Sequence, residues 1–149
     1  MAKSILIASL LLAAACGPRT LAPAALNAAG DQCGTCRMVI SDQRFASQIV
    51  APYEEPRFFD DLGCLTNYLA GAPLPKDAVV YVADHRTKAW VRADAAVYTR
   101  VDRLSGAMGS HVVAHASVDS RRADTEAASG TPLSYSAVFR DVKLAGGGR

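Results

Sequence analysis

The sequence predicts an α+β fold made of two small ββαβ units in tandem. Three observations carry that reading. Short apolar runs rich in Val, Tyr and Phe alternate with Gly, Pro and acidic residues. Helix-period stretches begin near residues 60 and 118. The order strand, strand, helix, strand occurs twice, although identity between the halves is too weak to be an internal repeat.

The first unit is read over residues 31–84. Residues 36–40 and 45–50 suit strands, and residues 53–57 hold two Glu and a Pro and so form a turn. Phe58-Phe59-Asp60-Asp61 then opens a helix. It has an acidic cap, Leu62, Leu65, Tyr68 and Leu69 at helical spacing, and Gly71 after its end. Residues 78–83 (AVVYVA) close the unit as a strand. The second unit is read over residues 85–143. It begins with a turn (HRTK, 85–88) and a short strand (AWVRA, 89–93). Residues 97–101 and 111–116 read as strands, with a glycine-bearing loop between them. Ser117 or Asp119 caps a helix running to about Ser129, Gly130 stops it, and residues 133–139 read as a last strand. Residues 144–149 suit a disordered tail.

The N-terminus has a separate logic. Lys3 is followed by an apolar run over residues 4–12 and by Ala13, Ala14 and Ala15, so residues 1–15 read as a signal peptide. The run is shorter than the roughly 20 apolar residues that span a bilayer. Leu12-Ala-Ala-Ala-Cys16 resembles a bacterial lipobox, which implies acylation of Cys16 as the mature N-terminus. Gly17, with no Asp in that place, favours the outer membrane of a two-membrane cell. Residues 16–30, rich in Ala, Pro and Gly, read as the lipidated Cys and a flexible leash.

Composition excludes several classes. The 149 residues carry 16 Lys and Arg against 14 Asp and Glu, a balance that argues against a nucleic-acid partner. There is no Ser-His-Asp set, phosphate loop or nucleotide fingerprint, and nothing argues for an enzyme. Of the four cysteines, Cys16 is assigned to lipid. Cys33, Cys36 and Cys64 are then an odd set in an oxidising compartment, which points to a functional thiol or a metal site.

The chemistry concentrates at Cys33-Gly34-Thr35-Cys36-Arg37-Met38. A lone Cys-x-x-Cys fits a redox dithiol, half a zinc site or a soft-metal site. Met38 tips the balance. On a strand, residues i and i+2 share a face, with Cα atoms about 6.6 Å apart, so the Cys36 and Met38 sulfurs converge. A thiolate with a thioether selects copper(I) over zinc. Cys33 either joins the ion or guards Cys36 as a disulfide. A second soft cluster is Met108, freed by Gly106 and Gly109, with His111 three residues on. His115 is a strand length of about 13 Å beyond His111, too far to share its ion. His85, beside Arg86 and Lys88, reads as solvent-exposed, and Cys64 as a buried, inert core cysteine. Capping suffices to explain Asp60 and Asp61. The expected metal set is thus Cys36, Met38, Cys33, Met108 and His111, holding one Cu(I) per chain.

Together these features resemble the NosL family of copper chaperones for nitrous oxide reductase. The matching features are the lipoprotein signal, Cys-x-x-Cys-x-Met-x-Ile at residues 33–40, Phe-Asp-Asp-x-x-Cys-Leu at residues 59–65, Trp90-Val91 and the late Met108-Gly109 loop. The resemblance spans nearly all of the mature chain. It implies a lipid-anchored protein on the periplasmic side of the envelope, with two ββαβ units similar in topology to a domain of the organomercurial lyase. It implies copper(I) delivery to the sulfide-bridged copper centre of nitrous oxide reductase, and copper receipt through a copper-linked ABC transporter complex. Two positions depart from the family: it usually has Gly where Arg37 stands, and Pro where Ala107 stands. Two rival readings are a periplasmic thiol-disulfide reductant using Cys33 and Cys36, and a non-catalytic envelope lipoprotein.

Overall fold

The computed structural model describes residues 21–140. Cys16, the signal segment and the tail at 144–149 lie outside the described residues. The fold is α+β, with two antiparallel sheets. The first holds β1 (Ser47–Val50), β2 (Arg57–Phe59), β3 (Val79–Ala83) and β4 (Trp90–Arg92) in the order β2-β1-β3-β4. Helix α1 (Leu62–Gly71) connects β2 to β3. The second sheet holds β5 (Val97–Arg100), β6 (Val112–His115) and β7 (Thr131–Leu133) in the order β6-β5-β7. Helix α2 (Val118–Ala123) precedes β7, and α3 (Tyr135–Phe139) follows it. Each half thus contains strand, strand, helix, strand. Strand β4 pairs with β3, so the first sheet extends past residue 84.

Helix α1 begins where the Asp61 side chain accepts the Cys64 N–H at 2.8 Å. Its Leu62, Cys64, Leu65 and Leu69 are buried in a core that also takes Phe59 from β2 and Tyr98 from β5. One apolar core therefore serves both sheets. Four local expectations change. Phe58 and Phe59 do not begin the helix; they pair with Gln48 and Ser47 of β1. Residues 36–40 are not a strand, as described below. Residues 133–139 are not one strand, because Ser134 Oγ accepts from the Ala137 N–H at 3.1 Å and starts α3. Tyr135 and Phe139 sit at i and i+4 and stack with ring centroids 4.8 Å apart, a helical spacing inside an apparently strand-like run. Helix α2 ends at Ala123, because the Asp124 carboxylate is engaged by two histidines from outside the helix.

The leash expectation also changes for the described part of that segment. Gln48 is fully buried in β1. Its amide accepts the Ala24 N–H at 2.8 Å and donates to the Ala24 carbonyl at 3.1 Å. The Tyr81 hydroxyl donates to the Leu21 carbonyl, and Ala24 and Leu26 pack on the core. A buried amide is tolerated because both its ends are paired. The chain from Leu21 is strapped to the first sheet.

Asp84 sutures the two halves. Its carboxylate accepts from the Arg86 and Thr87 N–H groups in its own turn. Across the boundary it accepts from the Ala116 N–H at 2.8 Å and the Ser120 hydroxyl at 2.6 Å. Burial alone would raise its pKa. The bonds from Ala116, Ser120 and Thr87 outweigh it and hold the group at about 2. Beside it, the His85 N–H donates to the Ala114 carbonyl at 2.8 Å.

Candidate metal centre

Residues 31–40 form a tight hairpin. Gln32 bridges Val39, the Cys33 N–H donates to the Met38 carbonyl at 2.8 Å, and the Ile40 N–H donates to the Asp31 carbonyl at 3.0 Å. Gly34, Thr35, Cys36 and Arg37 make its loop. The Arg37 N–H closes onto the Cys33 carbonyl at 3.0 Å, and Arg37 takes the left-handed φ of 67°. Cys36 is therefore a loop residue, and the shared strand face proposed for Cys36 and Met38 does not exist. The Cys-x-x-Cys turn itself is what prevents it, since a chain reversing over four residues cannot also be extended.

The loop is pinned over α1. Thr35 Oγ1 donates to the Cys64 carbonyl at 2.8 Å, and the Gly34 N–H donates to the Phe58 carbonyl at 2.8 Å. These bonds bring Cys33, Cys36, Cys64 and Asp60 together, with their donor atoms all within 4.8 Å of one another. Cys33 and Cys64 are fully buried, Asp60 is buried and Cys36 is partly exposed. None of the three thiols is in a disulfide. The Cys36 thiol donates to Asp60 Oδ2 at 3.2 Å, while Asp60 Oδ1 is buried with no partner. Burial pushes the Cys36 thiol up. The Met38 N–H opposes that, and Asp60 and Cys33 add to it. Cys64 is pushed up further by burial and then by the same two neighbours.

Asp61 does a different job from Asp60. Besides capping α1, its Oδ2 accepts the Met108 N–H at 3.0 Å. The loop bearing Met108 is thereby tied to the same end of α1 as the cysteines. A Cβ on Gly106 would lie 2.6 Å from Asp61 Cβ, so that close approach requires glycine. Met38 and Met108 are 45% and 51% exposed, so both side chains are at the surface. His111 Nδ1 donates to the Leu104 carbonyl at 2.8 Å, which places the proton on Nδ1 and the lone pair on Nε2. His111 is not among the donors gathered with the cysteines.

Two members of the cluster escaped sequence reasoning. Cys64 is buried as expected, yet it faces the other thiols. Asp60 is a cluster member and not a cap. Their spacing of i and i+4 around a helix start was the available signal. His85, expected at the surface, is only 1% exposed, because the turn that carries it is clamped between the sheets by Asp84.

A family model described as NosL matches residues 23–142. The chain belongs to the NosL family. No curated protein and no solved structure matches it. Within this NosL chain the matched span contains the whole sulfur cluster and the Met108 loop. Among the described residues, no helix is long and apolar enough to cross a membrane.

Proposed function

We propose that this NosL chain carries one copper(I) ion per molecule as cargo, on the sulfur cluster, and delivers it for assembly of the copper-sulfide centre of nitrous oxide reductase. The carrying observation is the convergence of three thiols and the Asp60 carboxylate, whose donor atoms all lie within 4.8 Å of one another. Thiolates supply affinity for a soft ion. Cys36 is the thiol nearest solvent and anchors the ion, and Cys33 and Cys64 stand close enough to share it. Met38 and Met108 supply neutral thioethers that exchange readily, and the lone pair on His111 Nε2 is a further donor at the same loop. An ion bound at the surface by such ligands passes to an acceptor without being released into water. The anchor is the acylated Cys16 on the periplasmic side of the envelope, at the outer membrane. A copper-linked ABC transporter complex is the proposed source of the ion. A thiol-disulfide reductant is less well supported, because its attacking thiol needs a lowered pKa and Cys36 is pushed up.

Anaerobic titration of the reduced protein against a copper(I) chelator tests the reading. One ion per chain is expected, held by sulfur. Zinc displacing copper(I) from the thiolates would overturn it.

A further inference from the structure

A second group of ligand-type side chains lies where the two halves are joined. His85 follows β3, His115 ends β6 and Asp124 caps the C-terminus of α2. His85 Nδ1 and His115 Nε2 stand 2.7 and 3.0 Å from one atom, Asp124 Oδ2. The three donor atoms all lie within 4.8 Å of one another. The two imidazoles are 1% and 0% exposed and the carboxylate 5%. We propose that His85, His115 and Asp124 form a closed site for one divalent borderline ion, of which Zn(II) is the probe, separate from the copper(I) cargo.

Hydrogen bonding alone leaves this cluster incomplete. Two neutral imidazoles donating to one carboxylate oxygen use only their inner nitrogens. The outer ones, His85 Nε2 and His115 Nδ1, are buried with no partner. Buried polar atoms without partners are rare and call for an explanation. An ion reverses the tautomers. The inner nitrogens then coordinate through lone pairs, and the protons move to the outer nitrogens, which gives His85 Nε2 an acceptor but none to His115 Nδ1. His85 Nε2–H would then face Glu126, whose Oε2 is 3.9 Å away and whose carboxylate is already oriented by Arg44 at 2.8 Å. A carboxylate behind a ligating imidazole is the usual outer partner of a metal histidine. The spacing is near that of a tetrahedral ion, whose donors at about 2.1 Å lie about 3.4 Å apart: the two imidazole nitrogens stand 2.7 and 3.0 Å from Asp124 Oδ2, and all three donors lie within 4.8 Å of one another.

The donor chemistry sorts the ions. Two imidazoles and a carboxylate suit Zn(II) or another borderline divalent ion, whereas thiolate and thioether suit copper(I). Burial sorts the roles. A closed site takes its ion as the chain folds and holds it, cross-linking residue 85 of the first half to residues 115 and 124 of the second.

The test refolds the full mature chain anaerobically with Co(II) or Zn(II) and then saturates the thiols with copper(I). We expect one divalent ion per chain to remain, with a raised Tm. The cobalt form should show ligand-field bands and no thiolate-to-cobalt charge transfer. His115→Gln should weaken retention at least tenfold (~10- to 100-fold is typical even for outer partners), and Cys36→Ala should not. Wild-type protein that keeps no divalent ion, or keeps it only with a thiolate band, would overturn the proposal whether or not His115→Gln folds. Undiminished retention in a folded His115→Gln would overturn it equally.

Discussion

The sulfur cluster and the histidine cluster use the same device, side chains from distant segments converging under local backbone bonds, but they differ in access. Cys36 is partly exposed, and Met38 on the same hairpin and Met108 on the loop tied to Asp61 are exposed as well. His85, His115 and Asp124 are sealed between the sheets. A site that must pass on its ion needs a ligand at the surface and loops that can yield. A site that joins two halves needs neither. The supporting bonds agree. Two side-chain bonds hold each sulfur loop, from Thr35 and Cys36 on the hairpin and from the Met108 and Ser110 N–H groups to Asp61 on the other, while the histidines sit beside Asp84, which takes four bonds of its own.

The largest effect that would break this contrast is loss of the anchoring thiolate. Cys36→Ala should weaken copper(I) binding by more than ~100-fold, beyond what outer-partner substitutions produce, with little change in Tm. Chelator competition and a melting curve on the same sample check it. Equal copper affinity in Cys36→Ala would move the site elsewhere. Asp124→Ala should do the reverse. It removes the bonds to two buried imidazoles and to the Glu126 N–H, so stability should fall by about 2–3 kcal/mol with copper(I) affinity unchanged. Denaturant unfolding measures that loss, and a coupled fall in copper affinity would show that the clusters are not independent.

Smaller changes sharpen the sulfur side. Asp60→Asn keeps the shape and removes the charge beside Cys36, and should cost roughly tenfold in copper(I) affinity. Met108→Ala should cost less, because a thioether on a half-exposed loop is replaceable by water or by His111. Isothermal titration under anaerobic conditions ranks the two. A larger loss for Met108→Ala would make the loop, and not the cysteine hairpin, the main holder of the ion.

Much of the fold was legible because its signals are local. Asp61 before an apolar helical stripe marked α1, though with Phe58 and Phe59 wrongly drawn into its opening, and the run at 78–83 marked β3 to within one residue. What was not legible depends on contacts between halves. The burial of His85 follows from Asp84 reaching Ala116 and Ser120, more than 30 residues away, and nothing beside His85 announces it. The run at 133–139 mixed two periods, and a single serine cap decided between them. At the site, Cys33, Cys36 and Met38 stood out by residue type. Cys64 and Asp60 were masked by adequate local explanations, core packing and capping, that tertiary structure replaced.

The smallest expected effect tests the hairpin itself. Arg37 holds φ at 67°, a region that costs a side-chain-bearing residue roughly 1–2 kcal/mol and costs glycine nothing in sterics. Glycine gives back part of that gain through its freer unfolded chain. Arg37→Gly should therefore raise stability by about 0.5–1 kcal/mol, read as a shift in denaturant midpoint at constant slope. Its effect on copper(I) affinity should be small, because Cys36 is placed by the Thr35 bond to Cys64 and by Asp60, neither of which Arg37 touches. A stability loss would mean that the Arg37 side chain supplies a contact worth more than the strain. A large change in affinity would mean that the loop conformation at residue 37, and not the bonds at 35 and 60, sets the position of the Cys36 sulfur.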